Sequence, residues 1–206
     1  MTQEMFKQWQ RIAKQWCADD QLVADVFQLL VITYSDVSRH YHGLGHIQQM
    51  LELAEQYQEQ INDRNGFFFA IWFHDFIQQR GGNNEELSAA LAREYLQQLN
   101  VSEPVILHCE RMILATMNHA DHPDSDTRLF VDIDLSILAA ERAVYKSYAY
   151  QCRKEYFLPD FVYRFGRRRF LKELLSRQFI FSSEVFRNQF EAMARGNIQW
   201  ELEEWA

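Results

Sequence analysis

The chain holds only seven glycines and three prolines in 206 residues. These are the residues that most readily interrupt regular structure, so their scarcity predicts long helices rather than many short strands joined by tight turns. The apolar spacing agrees. Phe6, Trp9, Ile12, Ala13 and Trp16, then Val23, Val26, Phe27 and Leu30, predict two helices between Glu4 and Tyr34, joined near Ala18-Asp19-Asp20. His46 to Gln58 carries Ile47, Met50, Leu51 and Ala54 on one face, and Asn62 to Gly66 breaks the pattern. The run from Phe67 to Ile77 is apolar nearly all round, which marks the central, most buried helix.

Gly81-Gly82 then turns the chain, and Asn83 with Glu86 three residues on predicts a capping box opening a helix through Leu99. Ser102-Glu103-Pro104 starts another helix, expected to run to about His119. HPDSD reads as a loop. One further helix is expected from Thr127 to Tyr150, continuing toward Cys152, and two more after Pro159 and after Ser182-Ser183. There is no repeat, linker or alternating strand pattern. The expected fold is all-α: a single-domain helical bundle over residues 1–206, with its motif-bearing core at about 36–150.

Composition bounds the function. At 48% hydrophobic and 24% charged, the chain can bury a sizeable core. A net charge of −8 argues against nonspecific nucleic-acid binding. FFFAIWF is too short to cross a bilayer, and MTQEMFKQWQ lacks an export pattern, so no membrane association and a cytoplasmic location are expected. Cys17, Cys109 and Cys152 are isolated and odd in number, which points neither to a disulfide framework nor to a cysteine-based zinc site. A homo-oligomer is compatible with all of this.

The chemistry concentrates in two stretches. RHYHGLGHIQQML places His40, His42 and His46 within seven positions. On a helix, His42 and His46 would share a face, able to hold one metal ion or one substrate, or simply to be hydrogen-bonded surface histidines. FAIWFHDFI ends an apolar run in His74-Asp75, where a buried carboxylate is expensive unless a cation or several donors compensate it. An arginine such as Arg80 is one alternative partner. Asp132 and Asp134 lie in another mostly apolar segment, with no lysine or arginine nearer than Arg128. Histidines and unpaired carboxylates from separate helices are best reconciled by a divalent metal.

The ordered set His46, His74-Asp75 and Asp134 resembles the HD superfamily of metal-dependent phosphohydrolases. RHYH, WFHD, NEE-SA and D-DLSIL are similar to segments of a bacterial group described as predicted HD phosphohydrolases, and the resemblance runs from Arg39 to Ala194-Arg195-Gly196-Asn197. Tyr41-His42 with His46, and Asp134-Leu135-Ser136, resemble the cyclic-nucleotide phosphodiesterases more distantly. Gly43 departs from the asparagine found there, and Gly43 and Gly45 together predict a loosened helical turn, on the order of 1–2 kcal/mol worse than alanine.

The resemblance implies His46, His74, Asp75 and Asp134 as metal ligands, favouring Asp134 over Asp132. It implies one or two divalent ions (Mn, Fe, Co, Ni or Mg) and hydrolysis of a small phosphate ester, nucleotides included, by metal-activated water. His42 would be the general acid, and Glu85 would orient or deprotonate the water unless it merely suits a helix first turn. His119 would contact a second metal or the phosphate, or else close a helix end, whereas His108 and His122 are not expected at the site.

Arg39 and Arg153 are candidate phosphate contacts beside a basic run at Arg164, Arg167, Arg168 and Arg169. Tyr145, Tyr148, Tyr150, Tyr156, Phe157 and Phe161 can sandwich a base or form core. Two other functions fit the same ligands: an HD-type di-iron oxygenase, and a non-catalytic metal- or nucleotide-binding regulatory module.

Overall fold

The computed structural model describes residues 2–79 and 82–204. Among the described residues there are ten α-helices and no strand: α1 Thr2–Ala13, α2 Asp20–Tyr34, α3 Leu44–Gln56, α4 Arg64–Phe73, α5 Asn84–Gln98, α6 Glu103–Ala115, α7 Ser125–Leu135, α8 Arg142–Glu155, α9 Asp160–Ser176 and α10 Glu184–Glu204. The all-α, single-domain expectation holds. Arg80 and Gly81, which carried expectations about a salt bridge and a turn, lie outside the described residues.

α4 is the central helix because it is apolar on every side. Phe67, Phe69, Ala70, Ile71, Trp72 and Phe73 are all buried, and α3, α5 and α6 pack around them. Trp9 from α1 meets Trp72 edge-on at 6.1 Å between ring centroids, and its indole Nε1 donates to the Val23 carbonyl at 2.8 Å, so the tryptophan buries without an orphaned polar atom.

Aspartates start several helices. Asp19 Oδ1 accepts from the backbone N–H groups of Gln21 and Leu22, Asp63 accepts from Gly66, and Asp124 accepts from Thr127. His108 on α6 lies between two of these caps, 3.0 Å from Asp63 and 3.2 Å from Asp124, and so links the starts of α4 and α7.

Four sequence expectations are corrected. α4 ends at Phe73, so His74 and Asp75 follow the helix rather than belonging to it. α6 ends at Ala115, and the chain continues as a turn to His119, whose φ of 49° is left-handed. Asn83 does not form a capping box: its backbone is left-handed, with φ 68°, and its side chain makes no cap hydrogen bond, while Asn84 exchanges hydrogen bonds with the Gln79 backbone.

The single helix expected from Thr127 is two. A 3-10 turn at Ser136–Ala139 and an extended Ala140 separate α7 from α8. The break is held from α10, where the Asn197 amide donates to the carbonyls of Leu138 and Ala140, both at 2.8 Å.

Candidate metal centre

The site is built where three segments meet. The carbonyl end of α4 is gripped from outside: the Tyr34 hydroxyl donates to the Trp72 carbonyl at 2.9 Å, and the Arg39 guanidinium donates to the carbonyls of Asp75, Phe76 and His42. A cation at a helix C-terminus complements the orphaned carbonyls there. This grip fixes the His74-Asp75 turn against the segment leading into α3. Arg39, expected on a phosphate, is therefore occupied in scaffolding.

Gly43 caps α3 with an extended backbone, and a Cβ on it would stand 3.0 Å from the Tyr34 carbonyl. The glycine lets the start of α3 approach the end of α2. His42 consequently precedes the helix, and His42 and His46 do not share a helical face as their spacing predicted. Instead the His46 ring enters the core from the first turn of α3, where it is 4% exposed.

His46 Nε2 and His74 Nε2 face each other at 3.2 Å. Asp75 Oδ2 is 3.0 Å from His74 Nε2 and 3.8 Å from His46 Nε2; Asp134 Oδ1 is 3.2 Å from His46 Nε2 and 3.8 Å from His74 Nε2. Donors bound about 2.0–2.1 Å from one centre stand roughly 3.0–3.4 Å apart; the separations of 3.2, 3.0 and 3.2 Å fall in that range, and the two of 3.8 Å are wider. His74 Nδ1 lies 3.0 Å from the Ile71 carbonyl, which fixes a proton there and leaves Nε2 as the ring nitrogen that can take either a proton or a cation at the cluster. His46, His74 and Asp75 can thus hold a metal ion, with Asp134 on the His46 side.

Electrostatics carry the same message. Burial opposes charge on His74, yet the carboxylates of Asp75 and Asp134 outweigh it and carry the imidazole up to about 9. Burial likewise disfavours charge on Asp75, but the histidines hold its carboxyl well below the ordinary range. Asp134 is also held well below despite burial, by hydrogen bonds from His119 and His46. Two half-buried carboxylates packed against the buried rings of His46 and His74 call for positive charge, supplied by protons or by a cation.

Around this set the structure distributes the remaining candidates. His119 Nε2 lies 2.9 Å from Asp134 Oδ2, on the opposite oxygen from His46. His42 lies one ring away from His46, at 5.9 Å between centroids, and its Nδ1 pairs with Glu155 Oε2 at 2.5 Å. Glu155 also accepts from the backbone N–H groups of Tyr41 and His42, at 2.7 and 2.9 Å. Burial opposes charge on His42, but Asp75 and Glu155 raise its pKa above the ordinary value. Cys152 adjoins this pair in a second potential metal-ligand group, but burial holds its thiol far above the usual range, and Glu155 is already satisfied.

Other candidates stand elsewhere. Glu85, in the first turn of α5, enters neither metal-ligand group and forms no hydrogen bond or ion pair among the described residues. Arg153 is engaged with Asp160 and with the carbonyls of Tyr156 and Leu158, bracing the link from α8 to α9 rather than reaching a phosphate. Asp132 points away from Asp134, accepting from the Ser182 and Ser183 amides at 2.7 and 2.6 Å. His108 pairs with Asp63 and Asp124, and His122 Nδ1 accepts from the Asp124 amide.

Glu155 was not singled out by the sequence, where it follows Arg153 and Lys154 as one more charge in a helix last turn. Tyr41 also joins the site. Its ring contacts His42, His46 and Tyr148, and its buried hydroxyl has no hydrogen-bond partner among the described residues.

Compared with protein-family models, with curated proteins and with solved structures, the chain gives no match.

Proposed function

We propose that this chain is a metal-dependent phosphohydrolase of the HD type, acting on a small phosphate ester. The observation that carries the reading is the convergence of His46, His74, Asp75 and Asp134, drawn from three separate segments, with a protonatable His42 beside them. A divalent ion held by those four residues would supply Lewis acidity and an activated water at neutral pH.

The chain's own residues supply the rest. Glu155 binds His42 Nδ1, which leaves Nε2 free to deliver a proton to the departing ester oxygen. Glu155 bonded to Nδ1 favours the imidazolium form of His42, the form that can act as an acid. His119 occupies the outer oxygen of Asp134 and so turns the inner one toward His46, as a positioning residue.

The test is metal content by mass spectrometry together with phosphate release from a panel of phosphate esters in Mn²⁺, Co²⁺, Ni²⁺ and Mg²⁺. Wild type is expected to bind metal and release phosphate, and His74→Ala and Asp75→Ala are expected to lose both. Metal retained at the wild-type level in both variants overturns the ligand assignment. One observation favours a second reading, the oxygenase: His119 on Asp134 adds a histidine next to the cluster. Two irons per chain without phosphate release would be its signature.

A further inference from the structure

A cleft of about 380 Å³ lies between α8 and α9, and two of its lining residues, His42 and Phe170, stand next to residues of the cluster's surroundings. His42 stands at one edge. At the other, the Phe170 ring lies 6.2 Å from the ring of His119, which bonds Asp134. A volume of this size lies in the range of small-molecule pockets.

The walls are mostly aromatic and aliphatic. Tyr148 and Tyr156 come from α8 and its C-terminal residue, whereas Val162, Gly166 and Phe170 form one row along α9, each four residues from the next. Gly166 is the notch in that row. A Cβ there would meet nothing within 4 Å, so no close packing requires glycine. A glycine inside a helix is about 1 kcal/mol less favourable than alanine. What the absent side chain provides is width in the cleft.

Charge narrows the ligand class. Apart from His42, the cation lining the cleft is Arg167, and it is already paired: Nε and Nη2 donate to the buried Glu201 carboxylate at 2.9 and 3.1 Å, and Nη1 donates to the Tyr148 hydroxyl. Its guanidinium lies over the Tyr148 and Phe170 rings and extends the flat wall. A second phosphate in the cleft would find no uncompensated positive charge among the described lining residues. A flat ring would find apolar and aromatic walls, with the half-exposed Tyr156 as the aromatic face most open to it.

We propose that this cleft receives the leaving group of a phosphate monoester and selects a flat, uncharged aromatic group, with Gly166 setting the room available. The proposal rests on the phosphohydrolase reading. Water adds to phosphorus, and the ester P–O bond breaks with its electron pair going to the leaving oxygen. That oxygen takes the proton of His42, and the proton lost by water restores His42. The products are an aromatic alcohol and inorganic phosphate.

The experiment compares wild type with Gly166→Leu, both checked for native helicity and melting. It uses 1-naphthyl phosphate and glycerol 3-phosphate as substrates, and 1-naphthol as a ligand in calorimetry. The two esters differ in intrinsic reactivity, so the readout is the change in their kcat/KM ratio between proteins. Gly166→Leu is expected to reduce the naphthyl-to-glycerol ratio by about tenfold or more, the scale of one or more carbons misplaced in an apolar pocket, and to weaken naphthol binding by a like factor.

An unchanged ratio and unchanged naphthol affinity in Gly166→Leu overturn the cleft assignment, even where phosphate is released. If wild type binds naphthol, the variant does not, and neither releases phosphate from any ester, the aromatic site stands and the hydrolase reading falls.

Discussion

One carboxylate governs His42, the histidine beside His46. Glu155 receives two backbone amides and the His42 ring, so its orientation is over-determined, and it holds both the tautomer and the charge of that imidazole. Glu155→Gln keeps the shape and removes the charge. Under the proposed chemistry it is expected to lower kcat by about 10–100-fold while leaving metal content unchanged, since Glu155 contacts none of the four ligands. An unaltered kcat would remove Glu155 from the mechanism. The convergence of His46, His74, Asp75 and Asp134 was legible because their residue types clash with their apolar surroundings. Glu155 was not, because its contact with His42 spans 113 residues and its local sequence is ordinary surface charge. Arg39 and Arg153 erred the other way: a guanidinium satisfied by backbone carbonyls looks, in sequence, like one waiting for phosphate.

The two glycines at the start of α3 act differently, Gly43 as its N-cap and Gly45 inside it. Gly43→Ala would press a Cβ against the Tyr34 carbonyl and is expected to destabilise by about 1–2 kcal/mol. Gly45, inside α3 with open space around it, is expected to gain up to about 1 kcal/mol as alanine. Urea titration of both variants separates the two, and equal effects would refute the close approach at Gly43. A second elemental device is the His108 bridge between the N-caps of α4 and α7. Its hydrogen bond to Asp63 raises the imidazole pKa, and Asp124, which burial would push up, is instead held at about 2 by Thr127 and His108. The Asp124 contribution is present above a carboxylate's ordinary value near ~4 and lost as pH falls toward about 2, whereas the His108 contribution is full below about 6.5 and lost as pH rises through its raised folded value. His108→Gln is therefore expected to lose about 1–3 kcal/mol between roughly pH 4 and 6.5, and less at either side. A loss independent of pH would contradict this. The caps at Asp63 and Asp124 were within reach of sequence reasoning; the break between α7 and α8 was not, because what stabilises it is Asn197, far away on α10.

At the scale of the whole molecule, the cluster is a knot that ties otherwise separate parts of one core. His46 comes from α3, His74 and Asp75 from the turn after α4, Asp134 from α7, and His119 from the turn after α6. Unfolding separates all of them, so an ion bound by the native set stabilises the entire fold and not one helix. At a hundredfold excess over its dissociation constant, such an ion adds about 2.7 kcal/mol to the unfolding free energy. Adding Mn²⁺ to metal-stripped protein is therefore expected to raise the urea midpoint, with helicity by circular dichroism and tryptophan fluorescence shifting together, because Trp9 and Trp72 lie in the core that α4 shares with the site. A chelator should reverse the shift. Asp134→Asn, which removes one ligand charge while retaining the side chain's size, should leave less of it. An equal Mn²⁺ response in wild type and Asp134→Asn would place the ion elsewhere on this acidic chain, whose net charge of −8 offers many weak surface sites.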